Sequence, residues 1–168
     1  MSAVSVDILV ESSLWTAEDA EAAVRAAIAS AADAVRALPA AGGEVTVVLT
    51  DDEAIRKLNR DWRHMDKPTN VLSFPAAQLP TPQRLEEAAV PATLGDLVIA
   101  YETTVREAAA EGKPVAHHVA HLAVHGFLHL LGYDHESDEE ADEMERLEAI
   151  ILARLNIPDP YAMRPSAA

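Results

Sequence analysis

The first third of the chain alternates between short runs rich in β-branched residues and one long alanine-rich segment. Val4–Val10 (VSVDILV) and Glu44–Thr50 (EVTVVLT) have the length and composition of strands. Between them, Thr16–Leu38 is rich in alanine, with Thr16 suited to cap a helix and acidic residues in the following turn. The pattern predicts a strand, a long helix and a second strand, in that order.

The middle of the chain predicts a helix, two strands and a long connection. Thr50–Glu53 (TDDE) has the form of a capping box, so a helix is expected to begin at Thr50 and to end near residue 61. Val71–Phe74 is predicted as a short strand, and Leu94–Tyr101 (LGDLVIAY) as a buried one. Ala76–Thr93 contains three prolines and little periodicity, which is typical of a long connection.

Two further helices are predicted on either side of a glycine-lysine-proline break. Thr103 or Thr104 is suited to cap the first of them, which would end near Gly112. Pro114 suits the first position of the second. The run Val115–Leu131 is apolar on nearly every side, which predicts a buried helix rather than a surface helix.

The last predicted helix, Asp138–Leu155, is amphipathic and is expected to pack against the core through Met144, Leu147, Ile150, Ile151 and Leu155. Strands come early and helices dominate late. This order indicates an α+β fold, with a small mixed sheet of about four strands, about five helices and the histidine-rich helix at the centre. The 168 residues show no repeat, so residues 1–168 are predicted to form one domain.

Composition limits the compartment and the partners. The chain has no apolar run of membrane-spanning length, and its N-terminus lacks the features of a secretion signal, so we expect a cytoplasmic protein without a membrane partner. With no cysteine, any metal must be held by nitrogen and oxygen. The net charge of −15 argues against a polyanionic substrate. However, residues 56–67 carry five Lys or Arg against two Asp, which makes a local basic patch.

Six of the seven histidines lie between His117 and His135. His125 and His129 are four residues apart, so on a helix both side chains project from the same face. Gly132 is able to adopt a left-handed backbone and to turn His135 back toward the same point. Three imidazoles at one place leave a tetrahedral zinc ion with one open position, which is typical of a catalytic zinc site.

The spacing H-x-x-x-H-x-x-G-x-x-H also resembles the signature of metzincin zinc peptidases, which carry a glutamate directly after the first histidine. Gly126 stands at that position, so the ligand pattern is kept while the general base of a peptidase is missing. His121, one turn before His125, is a candidate catalytic residue that contacts substrate, or else a hydrogen-bond partner of a ligand. His117 and His118 fit ordinary helix histidines in a core.

Two motifs together carry a family resemblance. HGFLHLLGYDH (residues 125–135) and LNRDWRHMDKPTNVLSFP (residues 58–75) resemble the YbeY family of zinc-dependent endoribonucleases, also called rRNA maturation factors. LGDLVI, EADEMERLE and IPDPY are similar to that family too, and the resemblance covers residues 58–161. It implies a fold related to the zincins and cleavage of single-stranded RNA, in maturation of the small-subunit rRNA 3′ end and in ribosome quality control. The implied ligands of one Zn²⁺ ion are His125, His129 and His135, with Arg63 as the functional arginine.

The chemistry of these residues leaves several alternatives open. The guanidinium of Arg63 matches a phosphate, and its alternative role is a surface salt bridge to Asp61 or Asp66. Three neutral imidazoles lower the pKa of zinc-bound water to about 7, but the 2′-hydroxyl of RNA is a second possible nucleophile. Asp134 is either a general base or a partner of a ligand histidine. Trp62 is predicted to pack in the core rather than to stack on a base.

Two other functions compete with the endoribonuclease. A metzincin-like zinc peptidase would need another base, and a non-catalytic, zinc-stabilised ribosome assembly factor would use the metal for folding energy. Imidazole ligands also accept other divalent transition metals. Because an acidic enzyme binds RNA weakly, the expected partners are single-stranded rRNA together with ribosomal particles or ribosome-associated proteins, and not DNA.

Overall fold

A computed structural model describes residues 4–17, 19–35, 42–76 and 92–162. We number its strands and α-helices in chain order. The strands are β1 (Val4–Val10), β2 (Gly43–Thr50), β3 (Val71–Pro75) and β4 (Ala92–Ala100). The helices are α1 (Ala20–Ala34), α2 (Asp52–Arg63), α3 (Tyr101–Ala110), α4 (Val115–Leu130) and α5 (Asp138–Ala153). A short 3-10 helix, Ser13–Ala17, precedes α1.

The strands form one mixed sheet in the order β1-β2-β4-β3. The pairs β1/β2 and β2/β4 are parallel, and β3 runs antiparallel to β4 at the edge of the sheet. The predicted α+β fold, with four strands and five helices, is therefore confirmed for the described residues. None of the helices in these ranges has the length and apolar character needed to cross a membrane.

Helix α4 lies at the centre of the molecule, packed between the sheet and α1. Most of its side chains are buried, as the nearly continuous apolar sequence predicts. Gly126 lets this helix approach the sheet closely, because a Cβ there would lie 2.8 Å from Cδ2 of Leu97. Ser73 of β3 donates a hydrogen bond to the Gly126 carbonyl over 3.3 Å. The helix that carries the histidines is thus fixed to the sheet.

The starts of α1 and α2 differ from the prediction. Thr16 belongs to the 3-10 helix and donates to the Ser13 carbonyl, so α1 begins later, at Ala20. The predicted end of α1, residues 36–38, lies outside the described residues. Asp51, not Thr50, caps α2, because its Oδ1 accepts from the Ala54 amide over 2.9 Å while Thr50 is still paired in β2.

Helix α3 also begins earlier than predicted, at Tyr101. Its first turn is held by a residue of α2, because Asp52 accepts hydrogen bonds from both the amide and the hydroxyl of Thr103. Thr104 instead donates to the Ala100 carbonyl over 2.6 Å, so neither threonine is the cap. Before α4, Pro114 is the residue that precedes the helix rather than its first member.

The last predicted elements need two smaller corrections. Helix α5 ends at Ala153, and Ile150, placed in its buried stripe by the prediction, is 46% exposed. Ala92 and Thr93, predicted to lie in the connection, belong to β4. The remainder of that predicted connection, residues 77–91, lies outside the described residues.

Candidate metal centre

Three histidines meet at the C-terminal end of α4. His125 and His129 project from one face of the helix, one turn apart. The helix ends in a turn in which Gly132 has a φ of +100° and the Tyr133 amide bonds to the Leu128 carbonyl over 3.1 Å. This turn brings His135 back to the helix. One ring nitrogen from each of the three histidines lies within 4.8 Å of the other two.

The spacing and chemistry of these nitrogens fit a metal ion. Nε2 of His125 and Nε2 of His129 are 3.1 Å apart. Two ligands of a tetrahedral zinc with ordinary bond lengths lie about 3.3 Å apart, close to this value. Burial lowers the pKa of His129, and charge on His125 or His135 lowers it further. The neutral imidazole that results is the form that coordinates metal, so the cluster is able to bind a divalent transition ion.

Glu148 of α5 holds the ligand His125 from behind. Its side chain is buried, and its Oε1 lies 2.8 Å from Nδ1 of His125, which leaves Nε2 of that ring to face the other histidines. Tyr161 donates to the other carboxylate oxygen over 2.7 Å. Burial opposes ionisation of Glu148, but hydrogen bonds from His121 and His125 outweigh it and lower the pKa to about 2.

Sequence reasoning missed Glu148, although a signal was present. Met144, Leu147 and Ile151 belong to the apolar stripe of α5, and Glu148 stands inside that stripe, four residues after the first and three before the last. A carboxylate in such a position requires buried partners. A glutamate within the apolar stripe of a helix therefore indicates a polar contact in the core.

His121 lies between the ligand histidines and Tyr161. Its Nε2 is 3.2 Å from the Tyr161 hydroxyl and 3.3 Å from Oε1 of Glu148, and 14% of its side chain is exposed. These contacts favour the second of the two predicted roles, a hydrogen-bond partner that acts on a ligand through Glu148. Its assignment as a catalytic residue stays a prediction.

The other two histidines of α4 lie outside the group of converging ring nitrogens. His118 is buried, with its Nε2 2.9 Å from Oε1 of Glu107, and Asn70 donates to the same oxygen over 2.9 Å. Burial lowers the pKa of His118, and the hydrogen bond to Glu107 offsets part of the effect. His117 lines a neighbouring cavity together with Lys113.

Arg63 lines the same cleft as the three histidines, a space of about 840 Å³. The two carboxylates proposed as alternative partners are taken by other arginines. Asp61 pairs with Arg60 at 3.2 Å, and Asp66 pairs with Arg56 at 2.8 Å. Within the described ranges no acidic group forms an ion pair with Arg63, so the alternative role of a surface salt bridge has no support there. The guanidinium is available to an anion in the cleft.

Trp62 is 68% exposed, so its predicted place in the core is wrong. It lies seven residues after Ile55, on the helix face that packs against the sheet. At that point its neighbour is Phe74 of the edge strand β3, whose ring centroid is 6.1 Å away. The indole therefore contacts one aromatic ring edge-on and leaves most of its surface in the cleft.

Asp134 contacts the backbone beside it rather than a ligand ring. Its Oδ1 accepts a hydrogen bond from the amide of His135 over 2.8 Å, which fixes the loop that carries the third histidine. Ser73 and Asn70, two other polar residues of the motif, also line the cleft. The hydrogen bonds of Ser73 and Asn70 to Gly126 and Glu107 join strand β3 and the residue before it to helices α4 and α3 at the wall of the cleft. None of these residues is assigned as the general base.

Comparison with known proteins finds one family, whose matches extend over most of the chain. The sequence model of the family described as Endoribonuclease YbeY matches residues 8–156. A relative from Rhodopseudomonas palustris, named Endoribonuclease YbeY, is 58% identical over 157 residues, which cover 93% of this chain and 80% of the relative. Proteins of the same name from Bradyrhizobium diazoefficiens and Azorhizobium caulinodans are 56% and 55% identical, over 95% and 94% of this chain and 86% and 96% of their own lengths.

A solved structure supports the fold independently. The solution structure of TM1509 from Thermotoga maritima is similar to this chain with a TM-score of 0.54 at 20% sequence identity. The similarity covers 98% of this chain and 100% of that structure. At this identity the similarity establishes the fold alone. The chemistry of the site must be argued from the geometry of the cleft.

Proposed function

The chain belongs to the YbeY family of endoribonucleases, and on that premise we propose that it is a metal-dependent endoribonuclease that cleaves single-stranded RNA. The observation that carries the proposal is the meeting of two features in one cleft. Three imidazoles converge with their nitrogens within 4.8 Å, and Arg63, which has no ion-pair partner among the described residues, lines the same space. A metal site and a phosphate-binding cation together fit phosphodiester cleavage.

His125, His129 and His135 would hold the ion, which we propose to be zinc. When bound, such an ion supplies Lewis acidity toward a phosphoryl oxygen and lowers the pKa of water. Arg63 would bind the scissile phosphate and stabilise the negative charge that grows on its oxygens during cleavage. Glu148 keeps Nδ1 of His125 occupied, so that its Nε2 stays directed at the ion. For His121 we retain two roles: it contacts the substrate, or it positions Glu148 through a hydrogen bond.

The peptidase alternative has little support from position 126. A side chain there would meet Leu97 of the sheet at 2.8 Å, so this position faces the sheet rather than the open cleft. A glutamate base like that of metzincins therefore has no room there. The assembly-factor alternative differs from the endoribonuclease in one measurable respect, because it requires bound metal without cleavage of RNA.

We further propose that the substrate is ribosomal RNA, in 3′-end maturation of the small-subunit rRNA and in ribosome quality control, and that the protein acts in the cytoplasm as one domain. The acidic charge of −15 disfavours binding to free RNA over long distances. Ribosomal particles or ribosome-associated proteins would therefore bring enzyme and substrate together, and DNA is not an expected substrate.

The test is cleavage of a single-stranded RNA oligonucleotide by the purified full-length protein, with chelator and with zinc added back. Wild type is compared with His129→Ala, Arg63→Ala and the matched control His117→Ala, which removes a histidine of α4 outside the trio. Bound metal is measured on each sample. We expect cleavage by wild type and His117→Ala, loss with chelator, and recovery with zinc.

The variants separate the roles. His129→Ala should lose both metal and activity, whereas Arg63→Ala should keep the metal and lose activity. Equal cleavage by all four proteins would indicate a contaminating nuclease and would contradict the proposal. A protein that binds ribosomal particles and one equivalent of zinc, yet leaves RNA intact, would instead support the assembly-factor function.

A further inference from the structure

Trp62 is an exposed aromatic surface in the cleft that the cleavage chemistry leaves without a role. The chain has two tryptophans, and their environments differ sharply. Trp15 is 2% exposed and donates from Nε1 to the Thr50 carbonyl over 2.8 Å, so it is part of the core. Trp62 is 68% exposed. Single exposed apolar side chains are common on protein surfaces, so it is the position of this indole on the wall of the cleft that indicates a binding role.

The segment that presents Trp62 is rigidly held. His64 ends α2 in a left-handed conformation, with φ 58°, and its amide bonds to the Arg60 carbonyl. Asn59 is 2% exposed and donates to the Lys67 carbonyl over 2.9 Å, which ties the following loop to the helix. Phe74 braces the indole edge-on from β3. A ligand that binds Trp62 therefore loses little free energy in ordering the protein.

The neighbours of Trp62 indicate what it binds. Arg63 is the next residue, lines the same cleft, and has no ion-pair partner among the described residues. An exposed aromatic face beside a free guanidinium matches one nucleotide, with the base on the ring and the phosphate on the cation. The three histidines line the same cleft, which places this pair beside the proposed point of cleavage.

We propose that Trp62 stacks on one unpaired base of the RNA substrate, the base next to the scissile phosphate that Arg63 binds. The inference rests on the proposed function, and it names the feature that distinguishes single strands, because a base within a duplex has no free face to offer. Stacking also suits a protein of charge −15, since it adds affinity that does not depend on attracting a polyanion.

The experiment uses the full-length, metal-loaded protein and a short single-stranded RNA, mixed by stopped flow so that binding is recorded before turnover. Tryptophan emission is the first readout. Because Trp15 is buried and bonded in the core, quenching by the base reports on Trp62. The second readout is the Kd of labelled RNA for wild type, Trp62→Phe, Trp62→Leu and the control Leu14→Ala, which changes an exposed apolar residue outside the cleft.

We expect RNA to quench wild-type emission and Trp62→Leu to weaken binding roughly 5- to 150-fold, the range for loss of one stacked base. Trp62→Phe keeps a ring and should retain most of the affinity. The loss in Trp62→Leu should be similar at low and high salt, whereas the loss in Arg63→Ala should shrink as salt rises. In cleavage assays Trp62→Leu should raise KM with a small effect on kcat.

A strand with single abasic sites gives the decisive comparison. One abasic position should weaken binding to wild type and have little further effect on Trp62→Leu. Unquenched emission, or a Trp62→Leu protein that binds RNA as tightly as wild type, would overturn the inference and leave the indole to a protein partner. Quenching without cleavage would retain the stacking site and reject the endoribonuclease, so the two failures are distinguishable.

Discussion

Nδ1 of His125 lies 2.8 Å from Oε1 of Glu148, a carboxylate whose side chain is 1% exposed. The contact joins α4 to α5 and fixes the orientation of one imidazole of the trio. Tyr161 and His121 complete the surroundings of the same carboxylate. The histidine cluster is therefore positioned in part by a residue of the following helix, 23 residues after His125, and the contribution of Glu148 is measurable through metal affinity.

Glu148→Gln should weaken metal binding by about 10- to 100-fold, because the neutral amide no longer raises the basicity of His125 as the carboxylate does. Competition with a chromophoric chelator measures the change in Kd. Tyr161→Phe removes one hydrogen bond to Glu148 and keeps its charge, so a smaller loss is expected. The control is Glu143→Gln on the exposed face of α5. Equal affinities of wild type and Glu148→Gln would contradict this role.

Arg63→Ala should lower kcat by about 10²- to 10³-fold, the usual cost of removing one group that stabilises transition-state charge. Arg63→Lys should recover part of the activity, because an ammonium keeps the charge and loses the forked geometry. Arg60→Ala is the matched control, since Arg60 lies on the same helix and is paired with Asp61. The comparison is made by single-turnover kinetics. A similar decrease in both alanine variants would show that general basicity, rather than Arg63, matters.

The sequence predicted the features that depend on local spacing. Two histidines at i and i+4, followed by a glycine that reverses the chain, determine where three imidazoles meet, because helix periodicity and one left-handed residue suffice. The strands followed from β-branched composition. The mixed sheet and the central α4 then followed from the order of the elements.

The predictions that were wrong or missing concern features that depend on contacts between different elements of the fold. The start of α3 is set by Asp52, about fifty residues earlier, so the local threonine signals misplaced it. Glu148 approaches His125 only because α5 packs on α4. Trp62 has the helical spacing of a buried residue of α2, but its ring contact is with Phe74 of the edge strand β3, and 68% of it stays exposed. No pattern within a single helix reports where its neighbour ends.

His118 should make stability fall as the pH decreases below about 6.5, the ordinary pKa of histidine. Burial lowers its pKa in the folded protein, so below that pH the unfolded chain binds the additional proton and is favoured. The free energy of unfolding of wild type should therefore fall more between pH 7.5 and 5.5 than that of His118→Gln. Urea titrations at several pH values test this, with His117→Gln as the control. Parallel pH profiles for wild type and His118→Gln would contradict it.

Gly95→Ala should destabilise the protein by about 2–4 kcal/mol, because a Cβ in β4 would lie 2.4 Å from the Phe74 carbonyl oxygen and 2.8 Å from Cδ2 of Leu130. Gly112→Ala is the matched control. Gly112 has a positive φ of 66°, as Gly95 has one of 140°, but a Cβ at Gly112 meets nothing within 4 Å, so only the backbone cost of about 1–2 kcal/mol remains. Urea denaturation gives both values.

The same substitution connects the sheet to the metal centre. Leu130 follows the ligand His129 directly in α4, so displacing Leu130 from Gly95 shifts the helix end on which the imidazoles converge. Gly95→Ala should therefore weaken metal binding in the protein that remains folded, whereas Gly112→Ala should leave the metal Kd unchanged. If both variants bound metal like wild type, the close approach at Gly95 would serve the stability of the fold alone.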